Sequence, residues 1–369
     1  MLSAFDDFPI HQGSLPVALT ATSDPNHYDR YFFNGYHRDA SVYFAAAMGL
    51  YPNRHVADAA FSVVMNGKQI NVHASRRAPE DRADATRVGP ITVEVLAGLR
   101  TLRLTVESPE HGLRADLRFE HRTAAVEEPH FFRRTGQRVF FDYTRLTQFG
   151  TWTGWIEVDG TRVSVTPEQY WGSRDRSWGV RPVGERYAYG APTGEPQFYW
   201  LWAPVNFETF CTHFDVNETA DGERWHQEAV IVDADGSPAV GMAASPYRVS
   251  WRSGTRHAET FEVDFVDDTG KVSVLTLDPL LHFQMIGLGY GHPEWGHGVW
   301  KGEHAVGGDR WALPVADPLA PHHLHIQALS RATLRLPDGA VHHGMGILEQ
   351  LVIGRHEPSG FEGLFDGAR

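Results

Sequence analysis

The segment WIEVDGTRVSV, Trp155–Val165, decides the fold class. Apolar and polar residues alternate on both sides of Asp159-Gly160. Period two marks a strand with one buried face. Asp-Gly supplies the positive φ angles that a two-residue hairpin turn demands. The reading sets Ile156 and Val158 against Val163 and Val165. The pattern recurs outward in both directions. FSVVMNGKQINV (61–72) turns at Asn66-Gly67, EAVIVDADGSPAV at Asp235-Gly236, FEVDFVDDTGKVSVLTL near Thr269-Gly270, and ATLRLPDGAVHHGMGILEQLVIG at Asp338-Gly339. Helical periodicity is nearly absent. DYTRLTQFG (142–150) reads as a short helix, and PEDRADATR (79–87) as a polar loop or helical turn. The chain is predicted to be antiparallel all-β, with sheets closed into barrels or packed as sandwiches.

At 369 residues the chain exceeds what one core usually fills, so two domains are expected. The Gly- and Pro-rich YGAPTGEPQ (189–197) divides it into 1–190 and 191–369. Lys and Arg number 33 against 46 Asp and Glu, a net charge of −13. So acidic a surface repels phosphate backbones and anionic lipid, which argues against nucleic-acid partners. Cys211 is the sole cysteine, so no intramolecular disulfide or thiolate zinc cage forms. The start MLSAFDDFPIHQGSLP lacks the basic and apolar regions of a signal peptide. No apolar run reaches the roughly 18–20 residues of a membrane span. The expectation is a cytoplasmic protein without stable membrane insertion. Whether the barrels pair within one chain or across a homodimer stays open.

GxSxG, HExxH and P-loop signatures are absent. GLGYGHPEWGHG (287–298) begins Gly-x-Gly, but His292 stands where a dinucleotide fingerprint needs its third glycine. Histidines cluster in HHLH (322–325), at 342–343, and at His292, His297 and His304. As strand residues, His323 and His325 would share a face. A cupin-like metal barrel would want a glutamate a few residues on, where Leu329 and Ser330 stand. Solvated edge and loop histidines are the favoured reading, with no metal and no cofactor.

The chemistry is concentrated in QYWGSRDRSWGVRP (169–182). As a strand it places Trp171, Ser173, Asp175 and Ser177 on one face, and Tyr170, Arg174, Arg176 and Trp178 on the other. Asp175 is thereby separated from both flanking arginines. In an apolar barrel interior its pKa would rise, as a general acid at neutral pH requires. The alternative is an ion pair at a barrel rim or a turn cap.

RDRSWG resembles the Asp-His-x-Trp-Gly signature of the carotenoid hydratase (hydroxyneurosporene synthase) group and the AttH-like proteins. Asp175, Trp178 and Gly179 fall on the motif, and Arg176 replaces its histidine. FYWLWAPVNFETFCTHFDVNETADGERW is similar to the same group. YFFNGYHRDASVYFAAAMGLYPNRHVADAAFSVVMNG and GILEQLVIG resemble a bacterial subgroup of that superfamily. The resemblance implies two lipocalin-like antiparallel β-barrels in tandem and a cofactor-free enzyme. Its members hydrate isoprenoid or prenyl double bonds, and distant relatives catalyse cyclisations. It implies an apolar cavity for a small lipophilic substrate near the barrel junction, with Asp175 as proton donor. Aromatic faces, from the 11 tryptophans among others, would stabilise cationic charge.

His213 is the second catalytic candidate, to activate or position water; a core histidine bonded to backbone is the other reading. Trp171, Trp178, Tyr170 and Arg176 flank Asp175 as candidate substrate contacts. His37 and Tyr43 lie in the N-terminal aromatic stretch. His297 sits in a glycine-rich loop of the kind that often carries binding residues. Glu349 shares a strand face with Ile347 and Leu351 and points either into a barrel or onto an outer wall. A non-catalytic carrier and an isomerase or cyclase are the alternative functions.

Overall fold

The computed structural model describes residues 2, 10–11, 13–183 and 194–369. Residues 189–193 of YGAPTGEPQ, and with them the 190/191 division, lie outside the described residues. In chain order the strands are β1 His27–His37, β2 Val42–Tyr51, β3 Val56–Met65, β4 Lys68–Arg77, β5 Arg87–Val88, β6 Ile91–Ala97, β7 Thr101–Ser108 and β8 Leu113–His121. Then come β9 Val126–Glu127, β10 Phe131–Thr135, β11 Arg138–Val158, β12 Thr161–Val165 and β13 Tyr170–Val180. The second half adds β14 Phe198–Trp202, β15 Val205–Asn206, β16 Phe210–Glu218, β17 Arg224–Asp233, β18 Val240–Gly241, β19 Tyr247–Trp251, β20 Ala258–Val266 and β21 Val272–Gln284. The last three are β22 His304–Ala312, β23 Ile326–Arg335 and β24 Val341–Ile353. Only short 3-10 turns interrupt them, and no helix among the described residues is long and apolar enough to cross a membrane.

All pairings are antiparallel, in two sheets. The first runs β22-β4-β3-β2-β1-β13-β11-β8-β7-β6-β5. It curls until β5 and β6 lie against β3 and β4. The second runs β18-β17-β16-β14-β24-β23-β21-β20-β19. Residues 242–244 close it, Met242 bonding to Ala229 on β17 and Ala244 bridging Val266 on β20. The protein thus has the tandem lipocalin-like β-barrel fold. β22 comes from the second half of the sequence yet joins the first sheet, along all of β4.

The turn chemistry holds where the turns are tight. Asp159 and Gly160 have φ of 47° and 80°, a type I′ pair. Ile156 opposes Val163, whereas Val158 opposes Thr161 and Val165 opposes Gly154. Asn66-Gly67 behaves likewise. Asp235 and Asp338 sit instead in longer loops, each accepting a backbone N–H two residues on. The short helix expected at 142–150 is strand, the middle of the 21-residue β11. Both faces of that stretch are occupied, so apolar and polar residues do not alternate and the period is hidden. The turn at 79–87 is a 3-10 helix, Arg82–Thr86, capped by Asp81.

Three cores result. One fills the first barrel, around Phe44, Leu104, Phe119 and Trp152. One fills the second, around Phe214, Phe261, Leu277 and Leu348. The third lies between the barrels and joins Phe32, Tyr43 and Trp171 to Trp200, Trp202, Phe283 and Ile347. β2 shows why both of its faces are apolar: Phe44, Ala46 and Met48 enter the first barrel, while Tyr43, Ala45 and Ala47 face the second.

Candidate active site between the barrels

The outer wall of the first barrel supplies one side of the site. Across β1, β13 and β11 the register sets Arg30, Ser177 and Arg145 in one row, and Phe32, Asp175 and Thr147 in the next. Asn34, Ser173 and Phe149 form a third row, and Tyr36, Trp171 and Thr151 a fourth. The predicted alternation along 170–178 is therefore realised. It directs Asp175 away from its own barrel's lumen, not into it as expected. The surface is buried because the second barrel covers it. Gly179 of the motif has φ 134°, and a Cβ there would meet Asp142 O at 2.3 Å, so this strand end accepts only glycine.

Asp175 keeps part of its surface accessible although protein surrounds it. Burial pushes its pKa up to about 6; Arg145 and Arg30 oppose the rise, and the charges of Glu128 and Glu349 add to it. Among the described residues none hydrogen-bonds its carboxyl. It is an acid without a fixed partner among the described residues.

The facing wall comes from β14, β23 and β24. Glu349 accepts from His325 Nε2 at 2.7 Å, Gln327 Nε2 at 2.5 Å and Trp200 Nε1 at 3.1 Å. Tyr43 in turn donates to Gln327 Oε1. Burial alone would raise Glu349, but the His325 and Gln327 bonds and nearby positive charge hold it below the usual range. Ile347 and Leu351 share its face, in the core between the barrels. Glu349 thus stands on its barrel's outer wall and is nonetheless buried. Tyr290 packs edge-on against both His325 and His297, at 4.6 and 4.4 Å.

A second charged group adjoins Asp175. Arg145 donates to Glu128 at 2.7 Å and to Asp215 at 3.1 Å, and lies 4.6 Å over Trp200 and 4.8 Å over Phe131. Thr147 donates to Glu128 at 2.6 Å. His213 Nε2 lies 3.3 Å from Asp215, and His226 3.1 Å from it. Burial presses the His213 pKa down, but Asp215 and Glu128 outweigh it and hold it above the ordinary value. His213 is therefore tied to two carboxylates that favour its charged form.

The remaining candidates disperse. Tyr43 and Glu349 join the site, and Trp171 packs in the same core beneath Arg38 at 3.9 Å. His297, buried and hydrogen-bonded to Leu288 O at 2.9 Å, adjoins Arg30 at the site's other end. Burial, then Arg30 and Arg181, keep its pKa well below normal, so it is neutral. Arg176 turns into the first barrel and bonds Asp29. Trp178, 41% exposed, and Tyr170, in the first barrel's core, share that opposite face. His37 pairs with Asp39 at 2.5 Å, five positions along β1 from Phe32, about 17 Å at ~3.4 Å per residue. Arg176, Trp178, Tyr170 and His37 are thus not brought to Asp175. Sequence reasoning missed Arg145, Glu128, Asp215, His325, Gln327, Trp200 and Trp202. Only the acidic and basic residues inside the apolar strand FYWLW…FCTHFDVNE and its neighbours hinted at them.

Among the described residues, two groups have metal-ligand composition. In Glu128, His213 and Asp215, Arg145 already bridges the two carboxylates and takes the cation's place. In His73, His292 and Asp309, His292 Nδ1 accepts backbone N–H groups from Glu294 and Trp295. Its Nε2 then carries the proton and donates to Asp309 at 2.9 Å, so it offers no lone pair to a metal. His322 and His323 form a 3-10 turn, so His323 and His325 do not share a strand face.

The architecture and the buried acid between two barrels define a tandem lipocalin-like protein. The chain belongs to the family of unknown function DUF8625, whose model matches residues 2–362. No curated protein matches it. Among solved structures it is similar to kievitone hydratase from Nectria haematococca, with a TM-score of 0.55 at 11% identity over 95% of this chain and 96% of that one. A putative AttH from Nitrosomonas europaea gives 0.54 at 12% identity, over 92% and 98%. CghA with Sch210972 gives 0.52 at 12% identity, over 89% of each chain. At these identities the likeness is one of fold.

Proposed function

We propose that the chain is a cofactor-independent hydratase or dehydratase, a lyase acting on a lipophilic terpenoid or prenylated substrate. The observation that carries this is Asp175, a half-buried carboxyl pushed up to about 6, with no hydrogen-bond partner among the described residues and with the charge of Glu349 acting on it. In hydration the Asp175 O–H bond breaks and its proton goes to one alkene carbon. Water adds to the other carbon, and the His325–Glu349 pair takes the proton that water loses. Both protons then exchange with solvent, so water plus alkene gives alcohol. Dehydration runs the same path backwards, with Asp175 protonating the leaving hydroxyl. The core between the barrels supplies the apolar walls. A hydratase with this fold raises the prior by analogy alone.

A carrier, or an isomerase or cyclase using the same space, is the second reading. Arg145 favours it: its guanidinium already covers the Trp200 face that a substrate cation would use.

The test is organic extraction of purified wild-type and Asp175→Asn protein with mass spectrometry, then turnover of the extracted compound in ¹⁸O-labelled water. Label in a product made only by the wild type supports the lyase. An unchanged compound in both proteins means a carrier, an unlabelled product lighter by one water means dehydration, and an unlabelled product of unchanged mass means isomerisation or cyclisation.

A further inference from the structure

The lumen of the first barrel is a second space, about 600 Å³, separate from the Asp175 face. That volume lies within the range of small-ligand sites. Met48, Leu50, Ala85 and Val93 form apolar walls. The alternation that sends Asp175 and Arg30 outward sends Arg176 and Asp29 inward, onto this wall.

Two arginines, Arg82 and Arg176, and two carboxylates, Asp29 and Glu94, line the lumen, but they are unevenly placed. Arg176 bonds Asp29 and donates to Arg30 O at 3.1 Å, with its guanidinium 4.1 Å over Tyr31. Arg82 reaches the other Asp29 oxygen at 3.4 Å and donates to Val17 O at 2.9 Å. Two guanidiniums thus share one carboxylate. Arg174, buried on the same strand face but outside the lining, bonds only the neutral amide of Gln148 among the described residues. Glu94 stands at the rim, 54% exposed, with Arg103 3.9 Å away. Burial draws both Arg174 and Arg176 down to about 10. The Arg145 group between the barrels is the contrast: there two carboxylates serve one guanidinium and raise it.

We propose that the first barrel's lumen binds a lipophilic carboxylic acid, its carboxylate on Arg176 and Arg82 and its chain along Met48, Leu50 and Val93. A bidentate carboxylate suits the guanidinium fork, and the apolar walls take the tail. The site does not rest on the lyase reading, because Asp175 does not line it.

The test is calorimetric titration of the full chain with dodecanoate and with dodecan-1-ol. Dodecanoate should bind at least tenfold more tightly than the alcohol. Arg176→Met should weaken dodecanoate at least tenfold and leave the alcohol unchanged. Asp29→Asn should tighten dodecanoate by releasing Arg176, an effect no loss of structure would mimic; it keeps the test alive where Arg176→Met does not fold. Equal affinity for acid and alcohol, absence of binding, or no tightening in Asp29→Asn overturns the proposal. So does binding that is lost in Asp175→Asn and kept in Arg176→Met, since the ligand then sits between the barrels.

Discussion

Asp175 has its charge disfavoured by burial and lacks a fixed partner among the described residues, and both properties have measurable consequences. As a proton donor it must be protonated, so kcat/KM should fall as pH rises through about 6. Asp175→Asn should lose turnover by about 10²–10⁴ while still binding ligand. The stability sign runs the other way. A carboxyl whose folded pKa is raised from 3.8 to about 6 gives stability that is complete below pH 3.8 and lost as pH rises through 6. Asp175→Asn should therefore be more stable than wild type at pH 7, by up to about 3 kcal/mol. The gain should vanish on acidification, as paired melting curves between pH 3.5 and 7.5 would show. A wild-type advantage at pH 7 would mean that the ionised carboxylate is favourably solvated where it stands. The face on which Asp175 lies was legible in the strand alternation of 170–178. That this face is an outer wall, and buried, was not.

At the scale of elements, β22 is the informative case. Its residues alternate between exposed and half-buried, but nothing local in HAVGGDRWA says that its partner is β4, more than 220 residues earlier. Gly308 allows the approach: a Cβ there would lie 2.5 Å from the His111 ring and 2.8 Å from Asn71 O. Asp309 then clamps the strand, accepting from Asn71 at 2.6 Å and from His292 at 2.9 Å. Gly308→Val should cost about 1–3 kcal/mol, the usual range for overpacking. It should also open the β4 amides to hydrogen exchange while leaving β16 protected. Equal loss of protection in both barrels would refute a local role. The short helix expected at 142–150 failed for a related reason. Arg145, Thr147 and Phe149 face the second barrel, while Leu146 and Gln148 face inward, so both faces mix polar and apolar groups.

On the scale of the whole molecule, the two barrels meet through an apolar core with a charged centre. Arg145 is the link: it leaves β11 of the first barrel and bonds Asp215 on β16 of the second. Glu128 and Asp215 are both fully buried carboxylates. Arg145→Ala would take away the guanidinium that bridges two buried carboxylates and leave them only the histidines beside them, so about 3–5 kcal/mol should be lost. Denaturant unfolding of the variant should split into two transitions, one for each barrel. A single transition at unchanged midpoint would show that apolar contact alone couples them.

The amino-acid sequence by itself determined the strands and tight turns, because period-two patterning and the φ demands of Asn-Gly and Asp-Gly act between near neighbours. It also determined which side chains along β13 share a face. Only the tertiary structure decided what each face meets. Strand geometry sets Asp175 opposite Arg176, but docking of the second barrel turns an outer wall into the site. The same docking brings Glu349 within reach of Asp175, joins Arg145 to Asp215 and leaves Arg176 in a lumen of its own. Those contacts link residues far apart in the chain, and burial, which sets their pKa values, is a property of the assembled barrels.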